Sequence, residues 1–250
     1  MPVKIDKSQR LKFFKGNAKL GRDVWTFSLP AGHTCPGAKD CLAKVTENSS
    51  GQRSLADGPL AKFRCFAASQ EVAFKSVYLS RHHNWKLILA ARTADAIRDM
   101  ILRDLSAKAD VVRVHVSGDF FSAAYFDAWM QVARERPRTK FYGYTKSIHI
   151  VSAWKKANGE LPDNYSLIAS NGGKFDDRIK AEDMVTSTVV FHPKDAKKLK
   201  IDHDDKLAMS GKKDFALLLH GQGKSGSPHS AALKKMKEEG ISFAYSRDKS

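Results

Sequence analysis

The sequence predicts a single α/β domain over residues 1–250, with a mostly parallel sheet and crossover helices. After Asp110, short runs rich in β-branched and aromatic residues alternate with segments of roughly 10–15 residues whose apolar side chains have helical spacing. The chain has 250 residues, of which 42% are hydrophobic, and this is enough to bury one sizeable core. The alternation leaves open whether the sheet stays open or closes into a barrel.

The first part of the chain predicts less regular structure. Region 1–60 is rich in Gly, Pro and Ser, and its best strand, 24–29, runs into an irregular loop that contains two cysteines. Apolar residues at helical spacing follow over 62–89. A second helix is predicted over 93–108, because Thr93 is a suitable N-cap.

The alternating part begins after Asp110. The predicted strands are 111–116, 140–144, 165–170, 188–191 and 215–220, and the predicted helices are 122–136, 148–157 and 230–239. The segment at about 194–213 interrupts this order with seven lysines and four aspartates. That composition predicts a solvated, Lys-rich insertion.

Charge and composition limit the partners and the compartment. Lys and Arg number 43 against 27 Asp and Glu, a formal net charge of +16, which favours polyanions and makes nucleic acid a possible partner. No apolar run approaches the roughly 18–20 residues of a membrane span, and the start of the chain lacks the apolar core of a signal peptide. We therefore expect a cytoplasmic protein with no membrane partner.

Three cysteines form the strongest candidate site. Cys35 and Cys41 lie in the Gly- and Pro-containing loop, and Cys65 comes at the start of a predicted helix, where backbone amides favour thiolates. Three is an odd number, so a disulfide framework is not expected. Three thiolates suit a four-iron cluster with one iron open, or zinc completed by His33 or His82. Three unrelated cysteines are the alternative.

Polar clusters follow three successive predicted strands. They are Ser117-Gly118-Asp119, Thr145-Lys146-Ser147 and Ser170-Asn171-Gly172-Gly173. The carboxyl ends of parallel strands lie on one edge of a sheet, so these clusters should converge into a pocket. Asp119 could act as a base or metal ligand, and Lys146 could neutralise an anionic group. Each cluster alone could instead be a turn or a helix cap.

Several of these motifs also carry a resemblance. The segments are 29–38 (LPAGHTCPGA) with Cys41, 64–67 (RCFA), 116–121 (VSGDFF) and 142–147 (YGYTKS). In this order they resemble the phage "gene product 88" family, whose members occur in bacteriophage and mobile-element genomes. The resemblance implies a phage-encoded protein in the cytoplasm of a host cell, and it implies little chemistry.

A more distant likeness is to radical-SAM-like barrels, which implies an incomplete, TIM-like barrel. In such proteins three cysteines after the first strand hold a 4Fe-4S cluster, and later strand ends bind S-adenosylmethionine. Cys35, Cys41 and Cys65 match the cluster ligands, and Gly118-Asp119 matches a strand end that contacts the cofactor. The sequence departs from that pattern, because its spacing is C-x5-C with a third cysteine 24 residues further on.

These observations lead to one hypothesis with two alternatives. The first is an iron–sulfur protein in which Cys35, Cys41 and Cys65 bind the cluster, with enzymatic activity open. The residues expected around it are Asp119 and Lys146 as catalytic groups and Ser117, Gly118, Thr145, Ser170 and Asn171 as cofactor-binding groups. The alternatives are a basic nucleic-acid-binding protein or metal-dependent nuclease, and a zinc-stabilised structural or interaction protein.

Overall fold

A computed structural model of the chain describes residues 6–17 and 20–242. The strands are β1 (Phe14–Asn17), β2 (Gly21–Phe27), β3 (Ala43–Glu47), β4 (Arg53–Asp57), β5 (Val111–Val114), β6 (Lys140–Thr145), β7 (Tyr165–Ser170), β8 (Thr186–Val190), β9 (Lys200–Ile201) and β10 (Phe215–Leu218). The helices are α1 (Phe66–Ala73), α2 (Lys75–Ala91), α3 (Ala94–Asp104), α4 (Ala123–Glu135), α5 (Ile148–Asn158), α6 (Lys206–Ser210) and α7 (Pro228–Glu238).

Eight of the strands form one mostly parallel sheet. Its order is β1-β2-β5-β6-β7-β8-β10-β9, and all neighbours are parallel except β1 and β2. The remaining two strands, β3 and β4, pair as a separate antiparallel hairpin. The predicted α/β class with a mostly parallel sheet is confirmed. Within the described residues the main sheet ends at β1 and β9 and does not close on itself.

The two faces of the sheet bury different side chains. On one face Val112 and Val114 of β5 belong to the largest apolar cluster, which the helices α3, α4 and α5 complete around the fully buried Trp129. On the other face Tyr142 and Phe215 pack with Ala208 of the short helix α6. Strand side chains alternate between these faces, because successive residues of a strand point to opposite sides.

Local sequence explains how the helices begin and end. The Ser122 hydroxyl accepts a hydrogen bond from the Tyr125 N–H at 3.3 Å and caps α4, and the Thr93 hydroxyl does the same for α3. The segment predicted as helical over 62–89 consists of two helices. Phe74 separates them because its backbone is extended, with φ −119° and ψ 108°.

Several segments differ from prediction in regularity or length. The strand predicted over 24–29 is β2, the helix predicted over 93–108 is α3, and the strand predicted over 215–220 is β10, with the bounds given above. Region 1–60 contains two antiparallel strand pairs, so it is more regular than its composition indicated. The strand predicted over 111–116 ends at Val114, because His115 has a φ of +110°. The Lys-rich segment at 194–213 contributes β9 to the sheet and buries Asp202 and Asp205. Among the described residues, no helix is long and apolar enough to span a membrane.

Candidate functional site

The polar clusters that follow the parallel strands converge at the carboxyl edge of the sheet. The backbone N–H of Leu29 donates to the carbonyl of Ser117 at 2.8 Å, which joins the segment after β2 to the segment after β5. Asp119, after β5, accepts from Thr145 and Lys146 at the end of β6. With the bond from Lys146 Nζ to the Ser170 carbonyl at 2.8 Å, these contacts bring the three predicted clusters into one network, as expected for parallel strands.

The loop with Cys35 and Cys41 packs tightly on this edge. The carbonyl of Gly37 accepts from the Lys174 N–H at 2.8 Å, and the Asp40 N–H donates to the carbonyl of Gly172 at 2.9 Å. A Cβ atom at Gly37 would lie 1.9 Å from the carbonyl oxygen of Lys146, so only glycine allows this approach. Both cysteines of the loop are therefore held over the ends of β6 and β7.

Cys65 reaches the same site from the start of α1. Its backbone N-caps the helix, and its neighbours on both sides are held by the segment that follows β10. The Arg64 N–H donates to Nδ1 of His229 at 3.2 Å, and the Phe66 ring lies 4.7 Å from the ring of His220. The segment after β10 and the helix α7 thus fix the position of Cys65.

The three cysteines are free thiols that influence one another electrostatically. Burial raises the pKa of the Cys35 thiol well above its usual range, and Asp119, Cys65 and Cys41 raise it further. Burial raises the pKa of Cys41 to about 12, although the Lys146 ammonium opposes this rise. Burial also raises the pKa of Cys65, against backbone N–H groups at the start of α1. Burial therefore disfavours the thiolate form of all three cysteines, and a positive partner would favour it.

Asp119 is the central acceptor of the edge. Its Oδ1 accepts from the Thr145 hydroxyl and the Phe120 N–H, both at 2.7 Å, and its Oδ2 accepts from the Lys146 N–H at 2.8 Å. Burial raises the pKa of this carboxyl, while these hydrogen bonds lower it. The carboxylate therefore holds the edge together, and its predicted catalytic role remains a prediction.

Lys146 places a buried ammonium where it acts on the Cys41 thiol. Its Nζ donates to the Ser170 carbonyl and hydroxyl, both at 2.8 Å, and to the Asn171 carbonyl at 2.5 Å. All three acceptors are neutral, and no carboxylate in the described part of the chain forms an ion pair with Lys146. A buried cation without a counterion is costly, so this one favours a negative charge at Cys41.

The other predicted site residues have protein partners of their own. The Ser117 hydroxyl donates to Glu71 at 3.3 Å, and the Asn171 amide donates to the Thr188 hydroxyl at 2.7 Å. Gly118 has a φ of +87°, and a Cβ atom there would lie 2.6 Å from the Thr34 hydroxyl. These residues shape the edge, and none of these contacts tests whether they bind a cofactor.

Sequence reasoning missed the pair formed by Glu71 and Arg81. Both side chains are buried, and Arg81 donates to Glu71 Oε1 at 3.0 Å. Glu71 lies on the buried side of α1 with Ala67 and Ala68, so a charged residue at a core position of the helical pattern was the available signal.

The histidines considered as additional ligands lie beside the loop and do not complete a metal site. Nε2 of His33 contacts the Val45 carbonyl at 2.8 Å, and the His33 ring lies 5.5 Å from the ring of His82. Within residues 6–17 and 20–242, no group of three or more His, Cys, Asp or Glu side chains is arranged around the position of a metal ion.

The fold and this edge define an α/β protein with a cysteine loop packed on the carboxyl ends of parallel strands. The chain belongs to the gene product 88 family, a family of phage proteins, which it matches over residues 9–239. This confirms the family resemblance given by the motifs.

Two curated relatives are Gene 88 proteins of mycobacterial phages. The chain is 30% identical over 165 residues to that of Mycobacterium phage L5, covering 62% of this chain and 59% of the relative. It is 29% identical over 180 residues to that of Mycobacterium phage D29, covering 64% and 65%. The chain thus spans less than two thirds of either relative. No solved structure matches it, and the comparisons give no support to the likeness to radical-SAM-like barrels.

Proposed function

We propose that this protein holds an iron–sulfur cluster through Cys35, Cys41 and Cys65 at the carboxyl edge of its sheet. The observation that carries the proposal is a buried ammonium, Lys146, which has only neutral hydrogen-bond acceptors and lies where it favours a Cys41 thiolate. A buried ammonium with only neutral hydrogen-bond acceptors is costly, and a thiolate at Cys41 would lower that cost.

The donor set fits such a cluster. Three free thiols from two segments affect one another's charge, and soft thiolates are the usual ligands of iron–sulfur clusters. No group of side chains in the described residues is gathered around the position of a metal ion, so the fit to a cluster rests on the chemistry of the three thiols.

The chain's own residues have distinct tasks in this proposal. Lys146 neutralises part of the thiolate charge, and Asp119 fixes the turn that carries Lys146. Three protein ligands leave one iron of a 4Fe-4S cluster for a small molecule, for which S-adenosylmethionine is the candidate implied by the distant likeness. We also infer an incomplete barrel, because the parallel strands from β2 to β8 follow one another in chain order.

Anaerobic purification tests the proposal. We expect a brown protein with about four irons per chain, little iron in Cys41→Ala, and reduced retention of iron in Lys146→Met. Lys156→Met, which changes an exposed lysine of α5, is the matched control and should keep the iron of the unchanged protein. A colourless protein with one zinc per chain, or a protein without metal after reconstitution with iron and sulfide, would contradict the proposal.

A further inference from the structure

Glu71 connects the segments that carry the three cysteines. It lies on α1, six residues after Cys65, and its side chain is completely buried. Its Oε1 accepts from the Ala31 N–H at 2.9 Å, from Arg81 at 3.0 Å and from the Ser117 hydroxyl at 3.3 Å. One carboxylate oxygen therefore joins α1, α2, the cysteine loop and the edge after β5.

Each of these partners has a relation to the site. Ala31 is four residues before Cys35, and Ser117 is two residues before Asp119. Arg81 also donates to the Ala67 carbonyl at 2.8 Å, which fixes the first turn of α1 directly after Cys65. A displacement of Glu71 would therefore change the position of Cys65 relative to the loop.

The second oxygen of Glu71 shows that packing alone does not explain this residue. Oε2 is buried and has no hydrogen-bond partner among the described residues. An unpartnered carboxylate oxygen in the interior has lost its hydrogen bonds to water without replacing them. A glutamine could keep the acceptor bonds of Oε1, but it would leave the buried Arg81 guanidinium without the negative charge that it pairs with at 3.0 Å.

We propose that Glu71 is a positioning residue of the cysteine site, which holds Cys65 against the loop and, with Arg81, sets the charge beside the cluster. The inference rests on the proposed function. Both charges lie beside the first turn of α1, which Cys65 caps: Arg81 donates to the Ala67 carbonyl at 2.8 Å and to Glu71 at 3.0 Å. The ion pair of Glu71 and Arg81 therefore places a dipole beside Cys65, the proposed ligand at the start of α1.

Two substitutions separate charge from position. Glu71→Gln keeps the size and an acceptor oxygen and removes the charge, so the cluster should remain while its reduction potential rises. Glu71→Ala removes the connection, so iron should be lost several-fold faster to a chelator. Glu47→Gln is the matched control, because Glu47 pairs with Arg53 at 3.5 Å on the separate hairpin. Circular dichroism and thermal unfolding verify that each variant folds.

The outcomes distinguish the inference from the proposed function. If the unchanged protein takes up no iron, the proposed function fails. If it takes up iron but Glu71→Gln keeps the original potential and Glu71→Ala the original rate of iron loss, the inference fails. A metal-free measurement is independent of the cluster. In a protein with Cys35 and Cys41 changed to Ser, an alkylating reagent should modify Cys65 several-fold faster when Glu71→Ala is added. An unchanged rate of alkylation would overturn the positioning role.

Discussion

His115 is the most unusual single residue in the structure. It follows β5 with a backbone φ of +110°, which residues other than glycine rarely adopt. The residue is buried, with 4% of its surface exposed. Its Nε2 contacts the Tyr125 hydroxyl at 2.7 Å. Such strain persists only where the surroundings hold it, and here it turns the chain sharply toward Gly118 and Asp119.

The burial of His115 predicts a dependence of stability on pH. Burial first, and then the Arg113 charge, lower its pKa to about 3, whereas in the unfolded chain it is about 6.5. Between about pH 3 and pH 6.5, His115 is thus protonated in the unfolded chain and neutral in the folded protein. The stability that neutral His115 contributes is complete above about pH 6.5 and is lost as the pH falls toward 3.

Urea unfolding at pH 7, 5.5 and 4.5 measures this effect. We expect the free energy of unfolding to fall less steeply in His115→Asn, which does not titrate, than in the unchanged protein. His203→Asn, at an exposed histidine, is the control and should keep the original slope. Equal slopes for all three proteins would refute the assignment to His115.

At the scale of residues, the sequence predicted which side chains meet but not what holds them. The rule for parallel strands was enough to bring Asp119, Thr145 and Lys146 together. The partners Glu71, Arg81 and His229 come from helices whose position relative to the sheet depends on packing. No spacing in the chain encodes such a contact, although the charged Glu71 at a core position of the helical pattern marked one of the three residues.

At the scale of elements, the contact between Gly37 and the end of β6 determines the position of the cysteine loop. Gly37→Ala would place a Cβ atom 1.9 Å from the Lys146 carbonyl oxygen, and backbone on both sides leaves little freedom to relax. We expect a loss of about 1–3 kcal/mol in stability. The iron content of the proposed cluster should fall by a larger factor, because this contact positions the cysteine loop.

Chemical denaturation and iron analysis together measure the effect of Gly37→Ala. Gly51→Ala, in the turn between β3 and β4, serves as control, because a Cβ atom there has no neighbour within 4 Å and only the φ of +78° is strained. The control should lose some stability and keep its iron. Normal stability and iron in Gly37→Ala would show that the loop is not held by this contact.

The elements themselves were predictable where local signals were clear. β7 has the predicted bounds, 165–170, because an apolar strand ends at the Gly172-Gly173 pair. The break at Phe74 was missed, since no glycine or proline marks it. The β3–β4 hairpin was also missed, although residues of β3 alternate between buried and exposed and a turn with Asn48 and Gly51 follows.

At the scale of the molecule, the positive charge remains at the surface. The buried acidic residues are Asp40, Glu71, Asp119, Asp202 and Asp205, whereas the buried basic residues are Arg81, Arg113 and Lys146. Burial thus removes more negative than positive charges from the described surface. The net charge of +16 of the whole chain is therefore not reduced at the surface by the burial of these side chains. Polyanions should therefore bind by charge alone.

Fluorescence anisotropy with labelled duplex DNA tests this expectation. Affinity should fall steeply between about 50 and 200 mM salt and should be the same for unrelated sequences, since counterion release drives such binding. Lys197→Glu combined with Lys198→Glu, two exposed lysines, should weaken it further. Binding that persists unchanged at the higher salt, or that prefers one sequence, would instead favour a nucleic-acid-binding function.

The hydrogen bond from the Arg64 N–H to His229 has a consequence for biosynthesis. These two residues are 165 positions apart, and the contact between Lys174 and Pro36 spans 138 positions. During translation the three cysteines leave the ribosome long before Lys174 and His229 do. Contacts of such sequence separation form only after the intervening chain has been made. A nascent chain that ends before residue 229 therefore lacks part of the structure that positions its cysteines, so the proposed cluster would be inserted after translation.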